Sequence, residues 1–187
     1  EMTTLMEGLL DGSCDGLAAA SLLVALRMKG ETAGELATAA SVMRRHCQPL
    51  DVGREDLLDT CGTGGDGSGT FNISTATALV VAGAGVPVVK HGNRAISSSS
   101  GSADVLGALG VTITVEASLA AECLSRASMA FCLAPQYHPA LRHVGEVRRR
   151  LGIRTLFNCL GPLANPARAR FQLLGVGRRD WLERMAE

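Results

Sequence analysis

The chain has 187 residues, and its 18 basic and 18 acidic side chains cancel to a formal net charge of zero. Balanced charge argues against a broad nucleic-acid footprint, and an aromatic content of 3% leaves few stacking platforms for single strands. Apolar residues make up 47%, enough for a sizeable core packed with Ala, Val and Leu, and no run of 18 of them occurs that would span a membrane.

The first 48 residues read as helices. Leu17 to Lys29 is a dense apolar helix stopped by Gly30, and Thr32-Ala-Gly-Glu35 is a capping box that starts the next, which ends near His46. Asp11 to Gly16 has the look of a calcium loop but puts Leu22 where the closing glutamate belongs, so it reads as a turn between helices. Gln48 to Gly53 is a plausible boundary, giving a small helical domain over 1–50 and a second domain over 51–187. From Leu57 onward short apolar runs alternate with helices. Strands are expected at Leu57–Thr60, Val86–Lys90, Val111–Val115, Met129–Ala134 and Phe171–Val176, and helices near 74–83, 103–109, 118–127 and 139–151. A further helix is expected to begin near Asp180. The fold class is therefore α/β, a small N-terminal helical domain plus a mainly parallel sheet flanked by helices. The apolar face of Leu22, Leu23 and Leu26 reads as core, with a subunit interface as the alternative.

The six cysteines form no Cys-x-x-Cys and the four histidines lack metalloprotease spacing. Reduced, mostly buried thiols of a cytoplasmic protein are expected.

The most informative segment is Asp59-Thr-Cys-Gly-Thr-Gly-Gly-Asp-Gly-Ser-Gly-Thr-Phe-Asn-Ile-Ser-Thr75. Gly62, Gly64, Gly65, Gly67 and Gly69 let the chain fold its amides around an anion, and the helix that follows adds unpaired N–H groups. A dinucleotide site is rejected, because no acid occurs between Asp66 and Asp104 to meet a ribose. A P-loop is rejected because no Lys-Ser or Lys-Thr closes the loop. Asp66 beside a phosphate points to a bridging Mg²⁺ or a hydroxyl-bearing ligand. One strand later, Lys90-His-Gly-Asn-Arg94 and the serine-rich Ala95 to Asp104 fall at a second strand end. Ser102 is expected to cap the next helix. Two adjacent strand ends with phosphate chemistry favour a ligand bearing two separated phosphates.

Gly62-Thr-Gly-Gly-Asp66, Asn72-Ile-Ser-Thr75, Lys90-His-Gly-Asn-Arg94, Ser100-Gly-Ser-Ala-Asp104, Ala134-Pro-Gln-Tyr-His-Pro139, Val147-Arg-Arg-Arg-Leu-Gly152 and Arg154-Thr-Leu-Phe-Asn-Cys-Leu-Gly-Pro-Leu-Ala-Asn-Pro166 occur in one order. Together they resemble the anthranilate phosphoribosyltransferase family of tryptophan biosynthesis along essentially the whole chain. The resemblance implies a nucleoside phosphorylase/phosphoribosyltransferase-like fold. It also implies Mg²⁺-dependent transfer of phosphoribose from phosphoribosyl pyrophosphate (PRPP) to the amine of anthranilate, by a homodimer. It assigns PRPP to Gly62, Gly65, Asp66, Thr70, Asn72, Ile73, Ser74, Thr75, Lys90, His91, Gly92, Asn93, Arg94, Ala95, Ile96, Ser97, Ser98 and Ser102. It assigns anthranilate to Gly62, Asn93 and Arg148, and a magnesium contact to Ser74. Lysine suits a phosphate as a point charge and an arginine fork suits a flat carboxylate. No general base is named; His91 is a hydrogen-bonding candidate or a structural residue. Arg149 and Arg150 read as a solvated, dipole-complementing face.

Members of that family are longer and carry a downstream Asp-Glu pair for magnesium, which is absent after Asp66 here. The chain is therefore expected to be a fragment lacking both ends, and poorly active by itself. The rival readings are a pyrimidine nucleoside phosphorylase, which the Lys-His-Gly-Asn-Arg run fits poorly, and a nucleic-acid-binding paralogue without transferase activity.

Overall fold

The computed structural model describes residues 1–64, 69–95 and 100–187. It opens with α1 (Met2–Asp11), α2 (Gly16–Lys29) and α3 (Ala33–Arg45). The turn after α1 uses Gly12 at φ 83°, and Asp15 then caps α2 by accepting from the backbone N–H groups of Leu17 and Ala18 at 2.8 and 3.0 Å. The expected capping box starts α3. Thr32 Oγ1 accepts from Glu35 N at 3.2 Å, and Thr32 N donates back to Glu35 Oε2 at 3.0 Å. Leu23 and Leu26 are buried in the helical core with Met6, Leu9 and Leu36, so the interface alternative for that face gives way to ordinary packing.

Four parallel strands follow: β1 (Leu58–Gly62), β2 (Val88–Gly92), β3 (Met129–Leu133) and β4 (Phe171–Gly175), in the order β3-β2-β1-β4. Strand β2 is buried along Val88, Val89, Lys90 and His91 because the sheet is covered on both faces there. Val88 meets Ala78 of α4 (Ile73–Gly83) on one face, while Val89 packs in a cluster with Leu124 of α6 (Ala117–Ala127) on the other. Between β2 and α6 lies α5 (Ser102–Ala108). Strand β4 is different. Among the described residues it pairs with β1 on one side only, and Phe171 and Leu173 stay 54% and 57% exposed.

After β3 come α7 (Ala134–Tyr137), a 3-10 turn at Pro139–Leu141, α8 (Arg142–Leu151) and α9 (Phe157–Leu163). Helices α8 and α9 turn back onto the first three helices, where Val144, Phe157 and Leu160 complete the helical core. Strand β4 follows, then a 3-10 turn at Arg179–Trp181 and α10 (Leu182–Ala186).

Three sequence expectations are corrected. Val111–Val115 forms no strand. It crosses between α5 and α6, with Ile113 and Val115 packing into different clusters and the Val115 carbonyl taken by the Gln136 amide at 2.7 Å. The helix over 139–151 starts only at Arg142, after a 3-10 turn over Pro139–Leu141. Ser102 is not the cap of α5 but its first residue. Gly101 precedes the helix, and Asp104 does the capping by accepting from Gly101 N at 2.9 Å and Ala95 N at 2.8 Å.

Gly101 is held closely on its side-chain side. A Cβ there would lie 2.5 Å from both Ala95 N and Asn93 O, which are backbone atoms without freedom to turn away. Gly101→Ala should lower the urea unfolding free energy by about 1–3 kcal/mol, whereas Gly34→Ala, in helix α3 with nothing within 4 Å, should raise it by up to about 1 kcal/mol.

Candidate active site

Strand β1 lies between β2 and β4, where the strand order reverses: the chain builds outward from β1 through β2 to β3, then returns to add β4 on the other side of β1. Ligand crevices of open parallel sheets form at such a switch point, outside the carboxyl ends of the strands. A cavity of about 390 Å³ is found there. Gly62 and Gly64 line it from the end of β1, Thr70 to Ser74 from the start of α4, and Gly175 to Gly177 from the end of β4. The first turn of α4 brings its N–H groups and dipole to this wall. Asn72 does not cap its own helix by side chain; its Nδ2 donates to Ser100 O at 3.1 Å and ties the helix start to the second loop.

The base of the glycine loop is fixed at Thr63. Its N–H donates to Gly175 O at 2.9 Å, and its Oγ1 accepts from Gly177 N at 3.1 Å. From the loop after α8, Arg154 Nη1 donates to Gly64 O at 2.7 Å and Nη2 to Thr63 O at 3.4 Å.

Lys90 lies beneath this rim and is 1% exposed. Its Nζ donates to Thr60 O and, at 3.2 Å, to Ser74 Oγ. Burial pulls its pKa below the usual lysine value, and the charge of Asp59 pulls the other way. Asp59 is equally buried; it accepts from His91 N at 3.2 Å while Oδ2 has no partner among the described residues, and burial raises its pKa. Lys90 thus reaches the cavity through Ser74, and not by its own exposed ammonium.

A second cavity, of about 180 Å³, opens on the other side of Cys61 and Gly62. It is bounded by His91, Gly92 and Asn93 at the end of β2, by Arg148 of α8 and by Phe157 and Asn158 of α9. The Arg148 guanidinium stacks over the Phe157 ring at 5.0 Å from its centroid. Among the described residues it has no carboxylate partner, and burial lowers its pKa. A flat anion would meet a preoriented cationic fork there. His91 supports this wall from behind. Its Nδ1 donates to Gly161 O at 2.9 Å, and its ring packs 5.0 Å from that of His138, whose Nε2 donates to Ala164 O at 2.9 Å.

The sequence-selected residues therefore divide. Gly62, Thr70, Asn72, Ile73 and Ser74 line the larger cavity, and Gly62, His91, Gly92, Asn93 and Arg148 the smaller. Thr75 and Ser102 are buried supports; Ser102 Oγ donates to Asn93 O at 3.3 Å. Arg94 pairs with Asp104 at 3.2 Å, and Ala95 donates its N–H to the same carboxylate. Gly65, Asp66, Ile96, Ser97 and Ser98 lie outside the described residues. Phe157, the end of β4 and Arg154 were not singled out. Phe157 and Arg154 belong to a quoted motif, but nothing in the letters shows what each faces. Cys61 is buried, and burial with the Asp59 charge pushes its thiol pKa well up, so it is a wall and not a nucleophile.

Comparison with known proteins agrees with this architecture. Residues 54–187 match the family model "Glycosyl transferase family, a/b domain", and residues 1–47 match "Glycosyl transferase family, helical bundle domain". The chain belongs to this glycosyl transferase family. Within it, the chain is similar to the anthranilate phosphoribosyltransferase of Roseiflexus sp. (strain RS-1), with 55% identity over 181 residues, covering 97% of this chain and 53% of that protein. It is also similar to the crystal structure of anthranilate phosphoribosyltransferase from Thermus thermophilus, with 49% identity and TM-score 0.92 over 99% of this chain and 56% of that one. The same enzyme from Saccharomyces cerevisiae, in complex with PRPP and Mg, gives 35% identity and TM-score 0.88 over 100% and 56%. The chain spans about half the length of these relatives.

Burial pushes His91 and His138 down to about 4 from an ordinary value of 6.5. Both are neutral in the fold at neutral pH, whereas the unfolded chain binds their protons below about 6.5. Stability should hold above pH 6.5 and fall as pH drops through about 4, by roughly 3 kcal/mol for one such histidine alone. Urea unfolding between pH 7 and 4.5 should show this loss, and His138→Gln should flatten it. An unaltered slope in the variant would contradict the assignment.

Proposed function

We propose that the two cavities seat PRPP and anthranilate for phosphoribosyl transfer, giving N-(5-phosphoribosyl)anthranilate and pyrophosphate in tryptophan biosynthesis. The observation that carries this reading is the shared wall. Cys61 and Gly62 bound both cavities, so a donor in the larger and an acceptor in the smaller meet across a residue without a side chain. The amine would attack the ribose C1 carbon as the C1–O bond to pyrophosphate breaks, and the amine then loses a proton. An aromatic amine already carries a lone pair, so orientation supplies much of the rate. Arg148, flattened on Phe157, would hold the acceptor carboxylate, with Asn93 beside it. Loop amides, the α4 N-terminus and the buried Lys90 charge would stabilise the leaving group. The PRPP contacts proposed at Gly65, Asp66 and Ile96 to Ser98 complete the donor site.

The yeast relative binds Mg, and the donor set here fits that ion. Ser74 Oγ is a hard oxygen at the cavity wall, and magnesium characteristically takes one or two protein oxygens together with substrate phosphates. Ser74 would hold it; when bound, it neutralises charge on the pyrophosphate. Among the described residues no group of three or more His, Cys, Asp or Glu forms an all-protein metal cage.

The division into a helical domain over 1–50 and an α/β domain over 51–187 is proposed on the two family-model matches. A homodimer through the helical domain rests on Leu17 and Met28, 78% and 82% exposed on α2. A cytoplasmic location rests on the six free cysteines; no described helix is long and apolar enough to cross a membrane. Nothing in the site or the relatives supports nucleic-acid binding.

Arg148→Ala should weaken anthranilate binding, followed by its fluorescence, by about 10–100-fold, the range of a lost charge-assisted pair. PRPP binding in the same variant should stay within about twofold. Arg148→Lys should recover only part of the loss, since an ammonium lacks the planar fork. An effect confined to PRPP would overturn the acceptor assignment.

A further inference from the structure

Arg154 belongs to neither cavity, yet it is the described side chain that reaches the start of the glycine loop from the acceptor side. The segment carrying it is closed on itself. Arg148 and Phe157 stack at 5.0 Å at its two ends, Gly152 turns the chain at φ 61°, and Thr155 N donates to Asn158 Oδ1 at 3.0 Å. Arg148, Phe157 and Asn158 all line the acceptor cavity. Arg154 projects from the middle of this closed segment and donates to the carbonyl oxygens of Thr63 and Gly64, the latter 90 residues away in the chain.

A trans peptide unit points its C=O and N–H in opposite directions. Holding the Thr63 carbonyl therefore directs the Gly64 N–H away from the guanidinium. That N–H has no partner among the described residues, and Gly64 lines the donor cavity. Gly64 sits at φ 61°, so its peptide unit has an unusually wide range of orientations without an external tie. The fork also places a permanent positive charge behind the loop, where it raises the affinity of the amides for an anion.

We propose that Arg154 is a positioning residue for the donor site: by gripping the Thr63 and Gly64 carbonyls it presets the Gly64 N–H toward the donor cavity for a phosphate of PRPP. This rests on the PRPP reading above. The test uses the chain itself with three readouts: calorimetric titration with PRPP and Mg²⁺, fluorescence titration with anthranilate alone, and hydrogen exchange of the peptide covering residues 59–64. Arg154→Ala should weaken PRPP by about 10–100-fold, the cost of losing charge-assisted bonds, and speed exchange over 59–64. Anthranilate affinity should move less than about twofold. Arg154→Lys should be intermediate, keeping the charge but not the two-carbonyl grip. Unchanged PRPP affinity and unchanged exchange in Arg154→Ala would overturn the proposal. So would an equal loss of both ligands in the Ala and Lys variants, which marks general support of the fold. Should the parent chain bind no PRPP, the exchange comparison still decides whether Arg154 holds the Thr63–Gly64 segment.

Discussion

A buried ammonium under the rim of the sheet sets the terms for everything above it. Lys90 is taken out of water on a central strand, and it stays satisfied because Thr60 offers a carbonyl and Ser74 a hydroxyl, with the Asp59 carboxylate close by. Removing one member would leave an uncompensated polar group in the interior, which is far costlier than the pair is worth. The arrangement fixes the register of β1 against β2 and brings the first turn of α4 onto the strand ends. The larger cavity is the space left above it.

The two cavities are consequences of topology as much as of side chains. Strand β1 has β2 on one side and β4 on the other, so its carboxyl end faces two departures of the chain. Gly62 is where they separate. A Cβ on it would stand 3.0 Å from the Gly175 carbonyl and would narrow the passage between the sites. The helical core contributes the other wall, because α8 and α9 leave the sheet to pack on α1 to α3 and carry Arg148 with them.

Much of this was legible in the letters. Capping residues such as Thr32 and Glu35 announce helices by local hydrogen bonding, and buried strands such as Val88–His91 announce themselves by continuous apolar character around a few polar residues. Gly64 and Gly69 announce a change of direction after β1, since both take a positive φ that residues with a Cβ avoid. Failures fell where tertiary contacts decide. Val111–Val115 alternates like a strand but finds no neighbour to pair with. Ser102 looks like a cap, yet it is the first helical residue and its hydroxyl turns back to the Asn93 carbonyl, while Asp104 takes the Gly101 and Ala95 N–H groups. Lys90 reads as a phosphate contact at a strand end; only the fold shows its ammonium turned inward, under Ser74. Arg154 and Phe157 gain their roles from partners far away in the chain, which no local pattern encodes.

Strand β4 has a consequence for handling the molecule. Among the described residues one edge of it has no strand beside it, and Phe171 and Leu173 sit more than half exposed on a parallel ribbon. A bare rim of peptide groups next to apolar side chains is an adhesive template for any extended segment, including the same strand of another copy.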